Sequence, residues 1–301
     1  MALEGNLVLL TQLAVAILSL SLLGTLAISQ ATSRSSYGVN STNIAQTFEQ
    51  WMAKYGRIYP IGQEKGKRSA IFRTNLEYVE SFNKQESKTY KLGLNQFSDM
   101  NNAEYCRHHT GYKRMPTSST SFRYQNMSAD DVPNSIDWRK QGAVTPVKYQ
   151  AGCGCCWAFS AVAAVEGITK IRTGQLIPLS EQQLVDCNRD MYNIGCEGGN
   201  MVDAFRYIKT NGGITSEDNY QYTARDGACY SNKEKHHDAT ITGFEQVPRG
   251  EMHLLKAVSM QPVSVHIDAH GKDTTRVGYF REIVEYAIVV IGYGKTEDDI
   301  D

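Results

Sequence analysis

Polar and apolar residues at positions 64, 68, 72, 75, 79 and 83 are spaced by three or four, which places them along one stripe of a predicted α-helix. Phe72, Leu76 and Val79 form the apolar stripe of this helix. Similar spacing predicts an earlier helix over residues 48–55. The amino-terminal region is therefore expected to form a small helical domain.

Farther along the chain, helical patterns give way to segments whose composition and alternation predict β-strands. Ser180 opens one of the helices with a predicted capping box that Gln183 completes. The predicted elements are helices at residues 180–187, 201–209 and 251–259 and strands at residues 239–247, 263–269 and 285–293.

An almost continuous apolar run covers residues 7–28 and is followed by small residues. This pattern is typical of a secretory signal peptide, which we assign to residues 1–31, and its length leaves a membrane anchor as the alternative. Secretory entry places the cysteines in an oxidising compartment, where the sequons at Asn40 and Asn126 are candidate glycosylation sites. We expect a vacuolar, lysosomal or extracellular destination and no stable membrane association after signal removal.

The charge pattern excludes some classes of protein. A formal net charge of -1 without a long charge run argues against a nucleic-acid partner or a membrane-surface partner. A polar run at residues 116–121 indicates an exposed linker, and we assign residues 105–131 to a linker and activation segment. The chain is therefore expected to carry one domain on each side of this segment.

The most informative stretch for chemistry is Gln150-Ala-Gly-Cys153-Gly-Cys155-Cys156-Trp157. A helix that begins near Cys156 can stabilise a thiolate, because its unpaired N–H groups and its macrodipole present positive potential. The alternatives are a buried structural cysteine and a set of metal ligands. The stretch predicts a thiol nucleophile, and we expect no metal.

The same stretch resembles the active-site motif of papain-like cysteine peptidases, and the resemblance continues from Val132 to about Gly294. It is closest to the senescence-associated plant branch of that family. The resemblance implies that Cys156 is the catalytic nucleophile and that Gln150 donates a hydrogen bond to the oxyanion. It further implies an α+β fold of the papain-like two-lobe type, with a helical left lobe and an incomplete β-barrel right lobe, preceded by a helical inhibitory prodomain. No cofactor is implied.

A second motif resembles the inhibitory prodomain of the same peptidases. Its residues are Glu64, Arg68, Phe72, Asn75, Val79 and Asn83, followed by Gly93-Leu-Asn-Gln-Phe-Ser-Asp99. We assign residues 44–104 to this prodomain. The resemblance implies that the following segment lies through the substrate cleft in the reverse direction and blocks it. Acid-triggered removal near Val132 is then expected.

The resemblance also pairs four of the cysteines and identifies the substrate-binding residues. It implies disulfides between Cys153 and Cys196 and between Cys187 and Cys229. The cysteines left unpaired are Cys106, Cys155 and Cys156. The substrate-binding positions are Gly198 and Gly199 as a backbone wall and Asn200, Met201, His266 and Ala287 as a side-chain pocket.

The chain departs from the family pattern in its right lobe. Glu285-Tyr286-Ala287 stands where the family has Asp-His-Ala, so a tyrosine replaces the catalytic histidine. Tyrosine, with a reference pKa of about 10, is a poor base at acidic or neutral pH. The orienting asparagine segment is missing, and we expect residues 132–301 to be a peptidase domain truncated at its carboxyl end. His266 is an alternative base, but its expected place is the pocket wall.

Three interpretations of function remain open from the sequence. The favoured one is a papain-like cysteine endopeptidase zymogen that is catalytically impaired as written. Its partners are protein or peptide substrates and its own prodomain, which acts as an intramolecular inhibitor. The alternatives are a non-catalytic homologue that binds related peptidases or peptides, and a decayed or incomplete coding sequence.

Overall fold

The computed structural model describes residues 44–60, 62–85, 90–113, 122–190, 193–268 and 285–295. The chain divides into two units, residues 1–60 and residues 61–301. The described part of the first unit contains helix α1, Ile44–Lys54, whose buried face carries Phe48 and Trp51. The rings of these two residues stack with their centroids 5.9 Å apart. The helix predicted over residues 48–55 is confirmed, and it begins at Ile44.

The described residues of the second unit form seven α-helices and four strands. The helices are α2 (Gly62–Asn83), α3 (Asn102–His109), α4 (Cys156–Thr173), α5 (Glu181–Cys187), α6 (Met201–Thr210), α7 (Ser231–Glu234) and α8 (Glu251–Val258). The strands are β1 (Ile136–Asp137), β2 (Val263–Asp268), β3 (Glu285–Val290) and β4 (Gly292–Tyr293). Within the part of the chain that the structure describes, no helix combines the length and apolar character needed to cross a membrane.

Helix α2 organises the polypeptide that follows it through its polar side chains. Arg68 pairs with Glu104 in the first turn of α3 at 2.9 Å. Asn75 donates a hydrogen bond to the carbonyl oxygen of Ser98 at 2.9 Å. The helix predicted over residues 64–83 is confirmed. Because α3 runs from Asn102 to His109, the expected end of the prodomain at residue 104 falls inside a helix.

Helix α4 lies at the centre of the helical lobe. Trp157 and Val162 are fully buried in it, and the helix packs against α5, α6, β2 and β3. A small residue permits this close packing, because a Cβ on Gly167 would lie 2.5 Å from the ring of Pro262. Gly174 ends the helix with a left-handed φ of 78°.

The start of α5 shows how tertiary contacts modify a local pattern. Ser180 caps the helix by accepting a hydrogen bond from the backbone N–H of Gln183 at 3.0 Å. The reciprocal half of the predicted capping box is wrong, because the Gln183 side chain accepts from the backbone N–H of Thr215 at 2.9 Å. The helices predicted at residues 201–209 and 251–259 are confirmed as α6 and α8.

The strands form two antiparallel pairs, β1 with β4 and β2 with β3, and His266 lies opposite Ala287 in the second pair. The strand predicted at residues 239–247 is wrong, since only Ala239 forms a bridge there, to Ile214. A strand needs a partner edge, and in the described residues β2 and β3 pair only with each other. The last predicted strand divides into β3 and β4. The α+β class is confirmed.

Candidate active site

Cys156 is the first residue of α4, and 1 % of its surface is exposed. Its position at the helix start gives it the positive potential of free N–H groups. Burial nevertheless raises the pKa of the Cys156 thiol, while backbone hydrogen bonds from Ala287 and Gly111 oppose the rise. The thiolate that the sequence favours is therefore disfavoured here, because burial of the sulfur outweighs the hydrogen bonds that the thiolate receives.

Gln150 lies in the turn before α4 and is buried. Its side-chain amide nitrogen donates to the carbonyl oxygen of Cys153 at 2.8 Å and to that of His109 at 3.2 Å. Its side-chain oxygen accepts a hydrogen bond from the Tyr286 hydroxyl at 2.8 Å. The amide is thus a donor directed at the carbonyl group of a segment that passes beside Cys156.

Tyr286 lies on β3, and its ring packs against the buried cluster that contains Cys156. Burial raises the pKa of Tyr286, and the neighbouring Cys156 thiol adds to the rise. The hydroxyl proton is donated to Gln150. Tyr286 therefore keeps its proton at the position where the sequence comparison expects a base.

Residues Gly111 to Lys113 lie along Gly199 in extended form. The Gly199 N–H donates to the Gly111 carbonyl oxygen at 2.7 Å, and the Lys113 N–H donates to the Gly199 carbonyl oxygen at 2.7 Å. The pairing is parallel and places Tyr112 opposite Gly199. Asn200 adds a side-chain hydrogen bond to the Lys113 carbonyl oxygen at 2.6 Å. A segment of the chain itself therefore occupies the predicted substrate site.

At Gly111 the backbone of this segment lies so close to the cleft wall that a side chain would not fit between them. A Cβ on Gly111 would lie 1.8 Å from the carbonyl oxygen of Gly154. A Cβ on Gly198 would lie 2.4 Å from the Gly111 carbonyl oxygen, and Gly198 has a φ of 112°. Glycine alone fits these positions without displacement. The structure therefore places the predicted glycine wall, Gly198 and Gly199, against the segment.

The side chain of Tyr112 packs beside this glycine wall. Its ring stacks on His266 with the centroids 4.8 Å apart and the planes within 9°. Met201 and Ala287 belong to the buried cluster against which Tyr112 packs. The residues expected to line a substrate pocket are thus brought together around an aromatic side chain.

The structure joins Cys153 to Cys196 and Cys187 to Cys229 by disulfides. Cys187, Cys229 and Glu234 are close enough together to resemble a metal site, but both sulfurs are bonded to each other. Among the described residues, Cys155 and Cys156 are buried cysteines that belong to neither disulfide. The first disulfide ties the turn before α4 to the glycine wall.

The predicted glycosylation sites differ in what the structure describes. Asn126 is exposed. Asn40 and the signal peptide assigned to residues 1–31 lie outside the described residues. Glycosylation and signal removal therefore stay predictions.

Sequence reasoning missed two sets of residues beneath the turn that carries Gln150. Tyr222 donates from its hydroxyl to the Gln150 carbonyl oxygen at 2.8 Å. Lys148 pairs with Glu166 at 2.7 Å and with Glu181 at 2.6 Å, and both carboxylates are buried. These roles depend on contacts between distant parts of the chain. The only local signal is the presence of charged residues at otherwise apolar helix positions.

The site combines a thiol at the start of a helix with an amide, in the preceding turn, that donates hydrogen bonds to backbone carbonyl oxygens. A segment of the same chain lies across both groups. This arrangement defines the proform of a cysteine peptidase. Comparison with known proteins narrows this class. Residues 132–300 match the papain family cysteine protease domain, and residues 48–105 match the cathepsin propeptide inhibitor domain. The chain belongs to the papain family of cysteine proteases, in the zymogen form with its prodomain.

Individual relatives agree with this assignment. The senescence-specific cysteine protease SAG12 of Arabidopsis thaliana is 46% identical over 262 residues, which cover 82% of this chain and 75% of that protein. The senescence-specific cysteine protease SAG39 of Oryza sativa subsp. indica is 46% identical over 267 residues, covering 85% and 77%. The solved structure of recombinant stem bromelain precursor has a TM-score of 0.76 and 41% identity, covering 85% of this chain and 84% of that one. The senescence-associated resemblance and the papain-like two-lobe fold are confirmed.

Proposed function

We propose that this zymogen has a cleft that binds extended peptides but that its peptide cleavage is impaired. The supporting observation is the 2.8 Å hydrogen bond from the Tyr286 hydroxyl to the side-chain oxygen of Gln150. Tyr286 stands at the position of the family's histidine. A hydroxyl that donates to an amide oxygen does not take the proton of the Cys156 thiol.

Peptide cleavage by a thiol needs two proton transfers. A base takes the proton of the nucleophile and then gives a proton to the departing amine. Burial raises the pKa of both Cys156 and Tyr286, so both groups keep their protons at neutral pH. Loss of a general base costs about 10²–10⁴-fold in rate, and we expect an impairment of this size.

A second candidate function is that of a non-catalytic binder of peptides or related peptidases. The contacts of Gly111 and Lys113 support it, since three hydrogen bonds of 2.6–2.7 Å join them to Gly199 and Asn200. Most of these bonds use backbone groups, which every extended peptide offers. Substrate-like peptides, related peptidases and the chain's own prodomain are the proposed partners.

The proposed location is the secretory pathway, with the vacuole, the lysosome or the exterior as destination. The disulfides Cys153–Cys196 and Cys187–Cys229 support an oxidising compartment. Removal of the prodomain near Val132 in acid is part of the same proposal. Amino-terminal sequencing of the protein from an acidified secretory compartment tests both points.

The test of function is the cleavage of a fluorogenic peptide by purified, acid-activated protein beside the Cys156→Ala and Tyr286→His variants. We expect the unaltered chain to match Cys156→Ala, and Tyr286→His to gain thiol-dependent turnover of about 10²-fold. Turnover in the unaltered chain that Cys156→Ala abolishes would show that the proposed impairment is wrong. If Tyr286→His stays inactive, the defect does not lie at this residue alone.

A binding measurement separates the second candidate function from the first. Acid-activated protein is titrated with a synthetic peptide of residues 105–113, in the unaltered and Tyr286→His forms. We expect both forms to bind, because the hydrogen-bonding groups of the glycine wall are unchanged. Absence of binding in both forms would contradict the peptide-binding part of the proposal.

A further inference from the structure

The turn that carries Gln150 contains backbone strain. Ala151 has a φ of 52°, in the left-handed region that favours glycine. An alanine there costs free energy and persists only when its surroundings fix the conformation. The residue immediately before it, Gln150, supplies the amide that reaches the His109 carbonyl oxygen. The groups that stabilise this turn therefore also fix the direction of the Gln150 side-chain amide.

Tyr222 is one of these groups, and Cys155 contacts it. The Tyr222 hydroxyl donates its single proton to the Gln150 carbonyl oxygen at 2.8 Å. The Cys155 sulfur lies 3.0 Å from the Tyr222 oxygen, so its S–H must be the donor in that contact. Burial raises the pKa of the Cys155 thiol to about 12, which keeps this proton in place. Cys155, Tyr222 and Gln150 thus form a continuous hydrogen-bonded chain.

Tyr222 is itself held from two sides. Its backbone N–H donates to the Glu217 carboxylate at 2.8 Å. Its ring meets the ring of Phe159 edge to face at 5.0 Å, and Phe159 belongs to the first turn of α4. The hydroxyl therefore has a fixed position relative to the helix that begins with Cys156. A fixed donor of this kind can maintain a strained turn.

We propose that Tyr222 is a positioning residue, which with Cys155 holds the Gln150–Ala151 turn and so directs the Gln150 amide at the peptide carbonyl in the cleft. Tyr222 acts through Gln150, whose backbone carbonyl oxygen accepts its hydroxyl proton. The inference rests on the proposed role of Gln150, whose side-chain amide donates a hydrogen bond to the carbonyl oxygen of a bound peptide. Its readout does not depend on turnover, so the peptide-cleavage assay and the experiment below can fail separately.

The test uses the full-length proform and the rate at which iodoacetamide alkylates Cys156, read by fragmentation of the peptide that contains it. Release of Gln150 weakens its bond to His109, so the covering segment opens more often. We expect Tyr222→Phe to raise the alkylation rate about three- to tenfold, the effect of one hydrogen bond. Adding Ala151→Gly should return the rate towards that of the unaltered chain, because glycine adopts the turn without support.

The Cys155 variants give a second, milder readout. Cys155→Ser keeps a donor to Tyr222 and should leave the Cys156 rate unchanged. Cys155→Ala removes the donor and should raise the rate about twofold to threefold, less than Tyr222→Phe does. Equal alkylation rates of Cys156 in these two variants would contradict the proposed series of hydrogen bonds from Cys155 through Tyr222 to Gln150.

Tyr207→Phe is the matched control, since the Tyr207 hydroxyl also makes partly buried hydrogen bonds, to Glu234 and Gln183. We expect no change in the Cys156 rate with this variant. The proposal is overturned if Tyr222→Phe leaves the rate unchanged, if Tyr207→Phe raises it equally, or if Ala151→Gly fails to restore it.

Discussion

The two walls of the cleft differ in what they contribute to the chemistry of the family. The left wall is formed by Gln150, Cys156 and Gly199, and all three contact the bound segment. Cys156 is the expected nucleophile, the Gln150 amide donates to a carbonyl oxygen, and the Gly199 backbone pairs with the segment. The right wall, formed by His266 and Tyr286, provides a ring stack and one hydrogen bond to Gln150. The groups that pair with the backbone of the bound segment and the tyrosine at the expected position of the base therefore lie on different walls.

The left wall is most sensitive to Gly111→Ala. The added Cβ would lie 1.8 Å from the Gly154 carbonyl oxygen, and the Gly154 N–H is bonded to the Cys196 carbonyl oxygen at 2.8 Å, so the wall does not yield easily. We expect the segment to leave the cleft and the Cys156 alkylation rate of the proform to rise about 10²-fold.

Gly93→Ala is the control for this variant, because a Cβ on Gly93 meets nothing within 4 Å. It lies in the prodomain and should leave the alkylation rate unchanged. A rate for Gly111→Ala that equals the rate for Gly93→Ala would mean that the segment does not bind through this close approach.

A pH series tests the support beneath the left wall. Burial raises the pKa of Glu181 to about 8, against the opposing charge of Lys148. The folded state then binds the Glu181 proton more tightly than the unfolded state does. This stabilisation is complete below the ordinary value of 4.5 and is lost as the pH rises through about 8. We expect the free energy of unfolding to fall on the order of 2 kcal/mol between about pH 5 and about pH 8 from this group.

Urea unfolding of the unaltered chain and Glu181→Gln, at several pH values, isolates the contribution of Glu181. In Glu181→Gln the free energy of unfolding should change less with pH, because the amide does not titrate. Glu251→Gln, which alters an exposed carboxyl group, is the control and should keep the slope of the unaltered chain. The prediction is contradicted if the free energy of unfolding falls with pH as steeply in Glu181→Gln as in Glu251→Gln.

The smallest of these three effects concerns the hydrogen bond that joins the two walls. Tyr286→Phe keeps the ring and removes the hydrogen bond to Gln150. We expect the Cys156 alkylation rate to rise about fivefold, with no gain of peptide cleavage. Tyr293→Phe removes a comparable hydroxyl bond, to the Pro133 carbonyl oxygen, and should have no effect. An unchanged rate for Tyr286→Phe would mean that the right wall does not support the left.

Local patterns were sufficient to predict the parts of the fold that local forces determine. Helix α2 follows from the spacing of its residues, whereas the roles of Cys156 and Gln150 were expected from the resemblance of one continuous stretch of sequence to a known family. The predicted strand at residues 239–247 was wrong because β-structure depends on a partner edge. The Gln183 side chain likewise found Thr215 in place of its local cap.

The properties of the site were harder to predict than its residues. The helix start favours a Cys156 thiolate, but burial of the sulfur in the folded chain raises its pKa. The bond between Tyr286 and Gln150 joins residues far apart in the sequence. Tyr222 belongs to no motif, and its function arises only when the chain folds around the turn at Ala151.

The glycine at position 111 has a consequence for which peptides the cleft accepts. Because this residue has no side chain, the segment lies closer to Gly154 than a peptide with a larger residue there can lie. A substrate with a side chain at that point must stand farther from the wall or shift its register. We therefore expect the cleft to bind its own segment more tightly than a peptide that carries a side chain at this point.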